Sequence, residues 1–101
     1  MLDGIILSDE ELIYLQNNIK TNPNPFSNFI NLNLTLDNNY QANIQLLDIN
    51  GRVQKEFFQG TLSNGEQFLE IPIDSQTLPT GVYYIRLEMN DKVIIKRMIK
   101  H

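Results

Sequence analysis

The sequence has no cysteine, no tryptophan and a single histidine, His101, at its last position. Without cysteine, neither a disulfide framework nor a Cys-ligated zinc centre can form. Stability must come from burial and backbone hydrogen bonding alone. With its histidine at a terminus, where chains fray, the body of the protein lacks the commonest general base. No apolar run is long enough for a membrane-spanning helix. The start, Met1-Leu2-Asp3-Gly4, lacks the basic n-region of a signal peptide. If the protein is exported, its address is expected on another part of a longer chain.

Charge of one sign is also scarce. Twelve acids and eight bases give a net charge of −4. The whole excess lies in residues 1–18, where Asp3, Asp9, Glu10 and Glu11 meet no base. Lys92, Lys96, Arg97 and Lys100 make the last segment locally basic. That patch is too small to indicate nucleic acid. It suits an edge strand guarded by lysines against edge-to-edge pairing. Neither a nucleic-acid partner nor direct membrane insertion is expected.

What the sequence does contain is strand patterning. Its 101 residues are enough for one modest core. Ser8-Asp9-Glu10-Glu11 has the form of a capping box, with Leu12, Ile13 and Leu15 on one side of a short helix ending near Gln16. An extended linker is the competing reading, and Asn17-Asn18 would break either. Ile19-Lys20-Thr21 suits a short first strand, stopped by Asn22-Pro23-Asn24-Pro25, where two prolines remove two donors. From Phe29 to Leu36, Ile30, Leu32, Leu34 and Leu36 alternate with Asn31, Asn33 and Thr35, as in a half-buried antiparallel strand. Asp37-Asn38-Asn39 is a turn. Ala42 to Ile49 is the next strand. Asn50-Gly51 predicts a type I′ hairpin with positive φ at both residues, returning along Arg52 to Gln59. Gly60 to Gly65 is expected as a loop and Glu66 to Ile73 as a strand, with Leu69, Ile71 and Ile73 inward. Pro72 places that strand at an edge. Leu78 is expected to plug one end of the core. Val82 to Met89 and Lys92 to Lys100 form a final hairpin around Asn90-Asp91. In the last strand Val93, Ile95 and Ile99 oppose Ile94 and Met98, leaving the buried face open.

Turn signals every 8–12 residues fit a sandwich. The expected fold is all-β: an Ig-like antiparallel β-sandwich of about seven strands in two sheets, in residues 19–101, with residues 1–18 a linker or short helix ahead of it. Catalytic chemistry is not indicated. Ser8, Ser27, Ser63 and Ser75 have no base in a recognisable pattern. Asp37, Asp48 and Asp74 lie outside any calcium-loop spacing. No catalytic residue, cofactor or metal is expected.

Four elements in order carry a resemblance. They are Pro23-Asn24-Pro25-Phe26 ahead of a hydrophobic strand, Asp48-Ile49-Asn50-Gly51-Arg52-Val53, Leu78-Pro79-Thr80-Gly81-Val82-Tyr83, and the terminal Lys96-Arg97-Met98-Ile99-Lys100. Together they resemble the type A C-terminal sorting domain of type IX secretion cargo in Bacteroidetes-type bacteria. Asn22 stands where that family commonly has Tyr. The resemblance implies a seven-stranded sandwich that directs a cargo protein across the outer membrane. It passes through the periplasm to the cell surface or outside. The partners implied are the outer-membrane type IX translocon and a sortase-like peptidase, which would cleave in residues 1–18. Sorting information would sit around Gly81, Tyr83, Lys96, Arg97 and Lys100. Pro23, Asn24, Pro25, Asp48, Gly51, Arg52 and Leu78 would be structural motif positions. The plainer reading of Gly81 and Tyr83 is a turn glycine and a core tyrosine with its hydroxyl bonded at the rim. Lys96, Arg97 and Lys100 have edge protection as their plainer role. The alternative function is a carbohydrate- or protein-binding module of a secreted protein. A flat platform of Tyr14, Tyr40, Tyr84, Phe58 and Phe68 would favour it, and a structural domain repeated along a longer chain is a third class.

Overall fold

A computed structural model describes residues 10–74 and 76–101. One helix, α1 (Glu10–Asn18), precedes seven strands: β1 (Ile19–Asn22), β2 (Phe29–Leu36), β3 (Tyr40–Leu47), β4 (Val53–Leu62), β5 (Gly65–Pro72), β6 (Gly81–Met89) and β7 (Lys92–Lys100). The expected two-sheet sandwich is present. One sheet has the order β1-β2-β5 and the other β4-β3-β6-β7, all pairs antiparallel.

Alternation explains the packing. Ile30, Leu32, Leu34 and Leu36 of β2 are buried, as are Ala42, Ile44 and Leu46 of β3 and Tyr83, Ile85, Leu87 and Met89 of β6. Because side chains alternate across a strand, these sets meet between the two sheets while Asn31, Gln45 and Arg86 point away. Ile71 and Ile73 join the core and Leu69 and Leu78 pack against it. In β7 the tertiary fold selects Ile94 and Met98 for the core and leaves Val93, Ile95 and Ile99 exposed.

The structure changes three local expectations. The segment Gly60–Leu62 is strand, not loop: β4 continues opposite Tyr40–Ala42. The Asp48–Arg52 hairpin is not type I′, because Asn50 has no positive φ; Gly51 alone takes one, at 84°. Finally, the short helix is present and runs to Asn18, two residues past Gln16. The Asn18 side chain donates to the Tyr14 carbonyl at 2.9 Å and β1 follows at once. Helix α1 buries Leu15 completely, and Leu12 and Tyr14 pack on the core. The Ser8 cap lies outside the described residues.

Candidate functional site

The sheet registers sort the connections between the two ends of the sandwich. Gly81 pairs with Lys100, Leu47 with Tyr84, and Phe29 with Pro72. The β1–β2, β3–β4 and β5–β6 connections and His101 therefore share one end. The β2–β3, β4–β5 and β6–β7 turns share the other. Every residue singled out for the resemblance lies at, or on a strand leading to, the first end.

The β1–β2 connection lies along the outer edge of β7. Both Asn–Pro bonds in it are cis. Asn24 Oδ1 accepts the Ile99 N–H at 2.9 Å, and its Nδ2 donates to the Arg97 carbonyl at 3.4 Å. Phe26 then makes a parallel bridge: its N–H donates to the Ile99 carbonyl and its carbonyl accepts the His101 N–H, both at 2.8 Å. Proline cannot donate to a ladder, so the amide side chain between two prolines takes the place of a strand's backbone here. The Phe26 ring is fully buried, edge-on to Tyr83 at 6.3 Å.

Asp48 organises the neighbouring loop. Its Oδ1 accepts the N–H groups of Asn50 and Arg52, each at 2.9 Å. Its Oδ2 takes Gln54 Nε2 at 3.2 Å and lies 3.6 Å from Arg52 Nε. A carboxylate bonding to nearby backbone donors competes with ordinary turn geometry, which is why the predicted hairpin type does not form. At Gly51 and Gly81 an added Cβ would meet nothing within 4 Å; φ values of +84° and +147° are what call for glycine.

Tyr83 is buried and its hydroxyl donates to the Pro79 carbonyl at 2.7 Å. A tyrosine bonded back to the chain just upstream closes the corner of many sandwiches in this way. Burial pushes its pKa up, and the Asp48 charge adds to that. Lys100 is turned inward, only 4% exposed, with Nζ donating to the His101 carbonyl at 3.0 Å. Lys96 is half-buried on the inner face, where it reaches the Gln16 carbonyl of α1 at 3.4 Å. Burial lowers its pKa, with the Lys20 charge adding to the shift. Of the five residues that the resemblance connects with sorting, Gly81 and Arg97 are the exposed ones, Lys96 is partly so, and Tyr83 and Lys100 are interior. Sequence reasoning placed Asn24 in a rigid corner but missed its bonds to β7. Their partners lie more than 70 residues away, and only the Asn between two prolines hinted at them.

The aromatics do not form a platform. Tyr40 is buried, Phe68 stands exposed on the outer face of the smaller sheet, and Tyr84 is half-buried on the outer face of the larger one. A cleft of about 250 Å³ lies among Gln41, Asn43, Gln59, Glu88 and Asn90. Its single carboxylate, Glu88, is 3.6 Å from Arg86. Among the described residues no cluster of His, Cys, Asp or Glu could hold a metal ion.

Compared with protein families, residues 20–101 match the model described as the secretion system C-terminal sorting domain. No curated protein matches the chain.

Proposed function

The chain belongs to the family of secretion system C-terminal sorting domains, and from that premise we propose that it delivers an attached cargo by presenting the Pro-Asn-Pro end of its sandwich to the translocon. The family is one of type IX sorting signals, not of enzymes, and it marks proteins that pass to the outer membrane and surface with that machinery. In the proposed scheme the folded domain crosses the periplasm and engages the outer-membrane translocon. A sortase-like peptidase then separates it from the cargo at the surface, cutting in the chain ahead of the sandwich.

The observation that carries this reading is convergence. Pro23, Asn24, Pro25, Asp48, Gly51, Arg52, Leu78, Gly81 and Arg97 come from four separate stretches and meet at one end. Tyr83 and Lys100 support that surface from inside. Arg52, with its side chain 77% exposed, and Arg97 are its outward cations. The scattered aromatics give no support to glycan binding.

The test is a fusion of residues 1–101 behind an exported reporter, in a bacterium with a working type IX system. Surface delivery is expected for the parent chain and is expected to fall in the double variant Arg52→Glu/Arg97→Glu. Delivery of the folded double variant at the parent level would show that this end is not the surface read.

A further inference from the structure

Among the described residues the outer edge of β7 is only half closed. A two-residue turn at Asn90-Asp91 makes Met89 and Lys92 a hydrogen-bonded pair, so Ile94, Lys96, Met98 and Lys100 bond to β6. Val93, Ile95, Arg97 and Ile99 direct their backbone groups the other way. Asn24 and Phe26 occupy Ile99 and the Arg97 carbonyl. The N–H and carbonyl of Val93 and Ile95 and the N–H of Arg97 have no hydrogen-bond partner among the described residues.

The side chains along this stretch are those of a contact surface. Val93 is 41% exposed and Ile95 50%. Arg97 is exposed and makes no ion pair among the described residues. The strand has four cations and no acid. Glu88, across from Val93, and Asp91 in the turn already face Arg86 and Lys92. The inward lysines do not guard the edge, since Lys96 reaches back to α1 and Lys100 is buried.

The other edges are blunted in ways that natural sheets use. Strand β4 has register shifts at two places against β3, β1 has four residues before Pro23, and β5 carries Glu66 and Glu70 and ends at Pro72.

We propose that Val93–Arg97 receives an extended strand of the secretion machinery, paired backbone to backbone with β7. That strand would be apolar at alternate positions and would carry a carboxylate for Arg97. It continues the line that Asn24 and Phe26 begin on the same edge. Backbone pairing supplies affinity and the outward side chains supply selection. The identity of the partner rests on the sorting function proposed above; the open edge does not.

Ile95→Pro in the reporter fusion tests this. The proline removes an N–H that faces away from β6, a position where an edge strand tolerates it. The expected result is a fold that melts within a few degrees of the parent, with surface delivery reduced about tenfold through lost ladder bonds. If Ile95→Pro unfolds the domain, Val93→Lys/Ile95→Lys replaces it: every ladder bond stays, and charge guards the edge. The same loss is expected. Delivery of either folded variant at the parent level overturns the proposal. So does a dimer of the isolated domain that Ile95→Pro dissociates without affecting delivery, because the occupant is then a second copy. A parent fusion that never reaches the surface overturns the sorting function itself and removes the proposed partner with it.

Discussion

The two ends of the sandwich are closed by different means. At the turn end the chain reverses in a few residues. Asp37 accepts the Tyr40 hydroxyl at 2.8 Å, Asn39 accepts the Asn64 N–H at 2.9 Å, and Asn90, at φ 56°, exchanges bonds with the start of β3. The first bond is local; the other two tie one turn to another and the last turn to β3, through exposed side chains and with no buried ring among them. At the Pro-Asn-Pro end the connections are longer and hold one another. Asn24 and Phe26 close β7, Asp48 gathers its loop, and Tyr83 packs on Phe26 while bonding to Pro79. A turn is satisfied by any residues that bend suitably. A mutually bonded end requires particular side chains at positions far apart in the chain, and this is where a sequence family shows its motifs.

The largest effect that would separate the ends is expected for Phe26→Ala. It empties a fully buried aromatic site, and chemical denaturation should show a loss of about 3–5 kcal/mol. A loss below about 1 kcal/mol would mean that this end is no more tightly built than a turn. Next comes Asn24→Ala, expected to cost about 1–2 kcal/mol and to speed hydrogen exchange at the Ile99 amide. Unchanged exchange there would show that the asparagine does not cover the edge. Asp48→Ala removes acceptors for two backbone donors and is expected to cost about 1–2 kcal/mol, against about 0.5–1 kcal/mol for Asn39→Ala at the other end. Equal losses would erase the contrast.

The smallest effect is one of pH. The folded state holds the Tyr83 proton more tightly than the unfolded chain does. Tyr83 therefore leaves stability unchanged below the ordinary tyrosine pKa of about 10 and lowers it as pH rises past that point. Lys96 has the opposite sign: its lowered pKa makes the charged form costly in the fold, and that cost lifts as pH rises through the folded value. Comparing Tyr83→Phe with the parent chain isolates the tyrosine. A slope above pH 10 that is the same in both would remove Tyr83 from the account.

Much of the fold was legible because it rests on local alternation. Strand β2 needs only Ile30, Leu32, Leu34 and Leu36 in step, and its limits, Phe29–Leu36, are those expected. Errors arose where a more distant or a competing group decides. Gly60 and Leu62 belong to β4 because Ala42 and Tyr40 lie opposite them, a pairing no local rule reveals. At Asn50-Gly51 the dipeptide signalled one turn, and the carboxylate two residues earlier imposed another. The face of β7 was undecidable because both faces are apolar; the choice belongs to α1 and the smaller sheet, against which one face packs. At the candidate site the motif residues were visible as a set, but their meeting at one end required the sheet registers. Burial of Tyr83 was legible as a core tyrosine with its hydroxyl at the rim, whereas burial of Lys100 required the packed core.

The bridge between Phe26 and the Ile99–His101 segment has a consequence for the order of folding. The partners of the first motif lie more than 70 residues further along the chain. A chain stopped before Arg97 can form β2, β3 and β4, but it leaves the Phe26 ring and the Asn24 amide without their seats. Such long-range closure is slow compared with local pairing. It also makes this end a late-formed part of the fold: its surface assembles only once β7 has joined β6 and received Asn24 and Phe26.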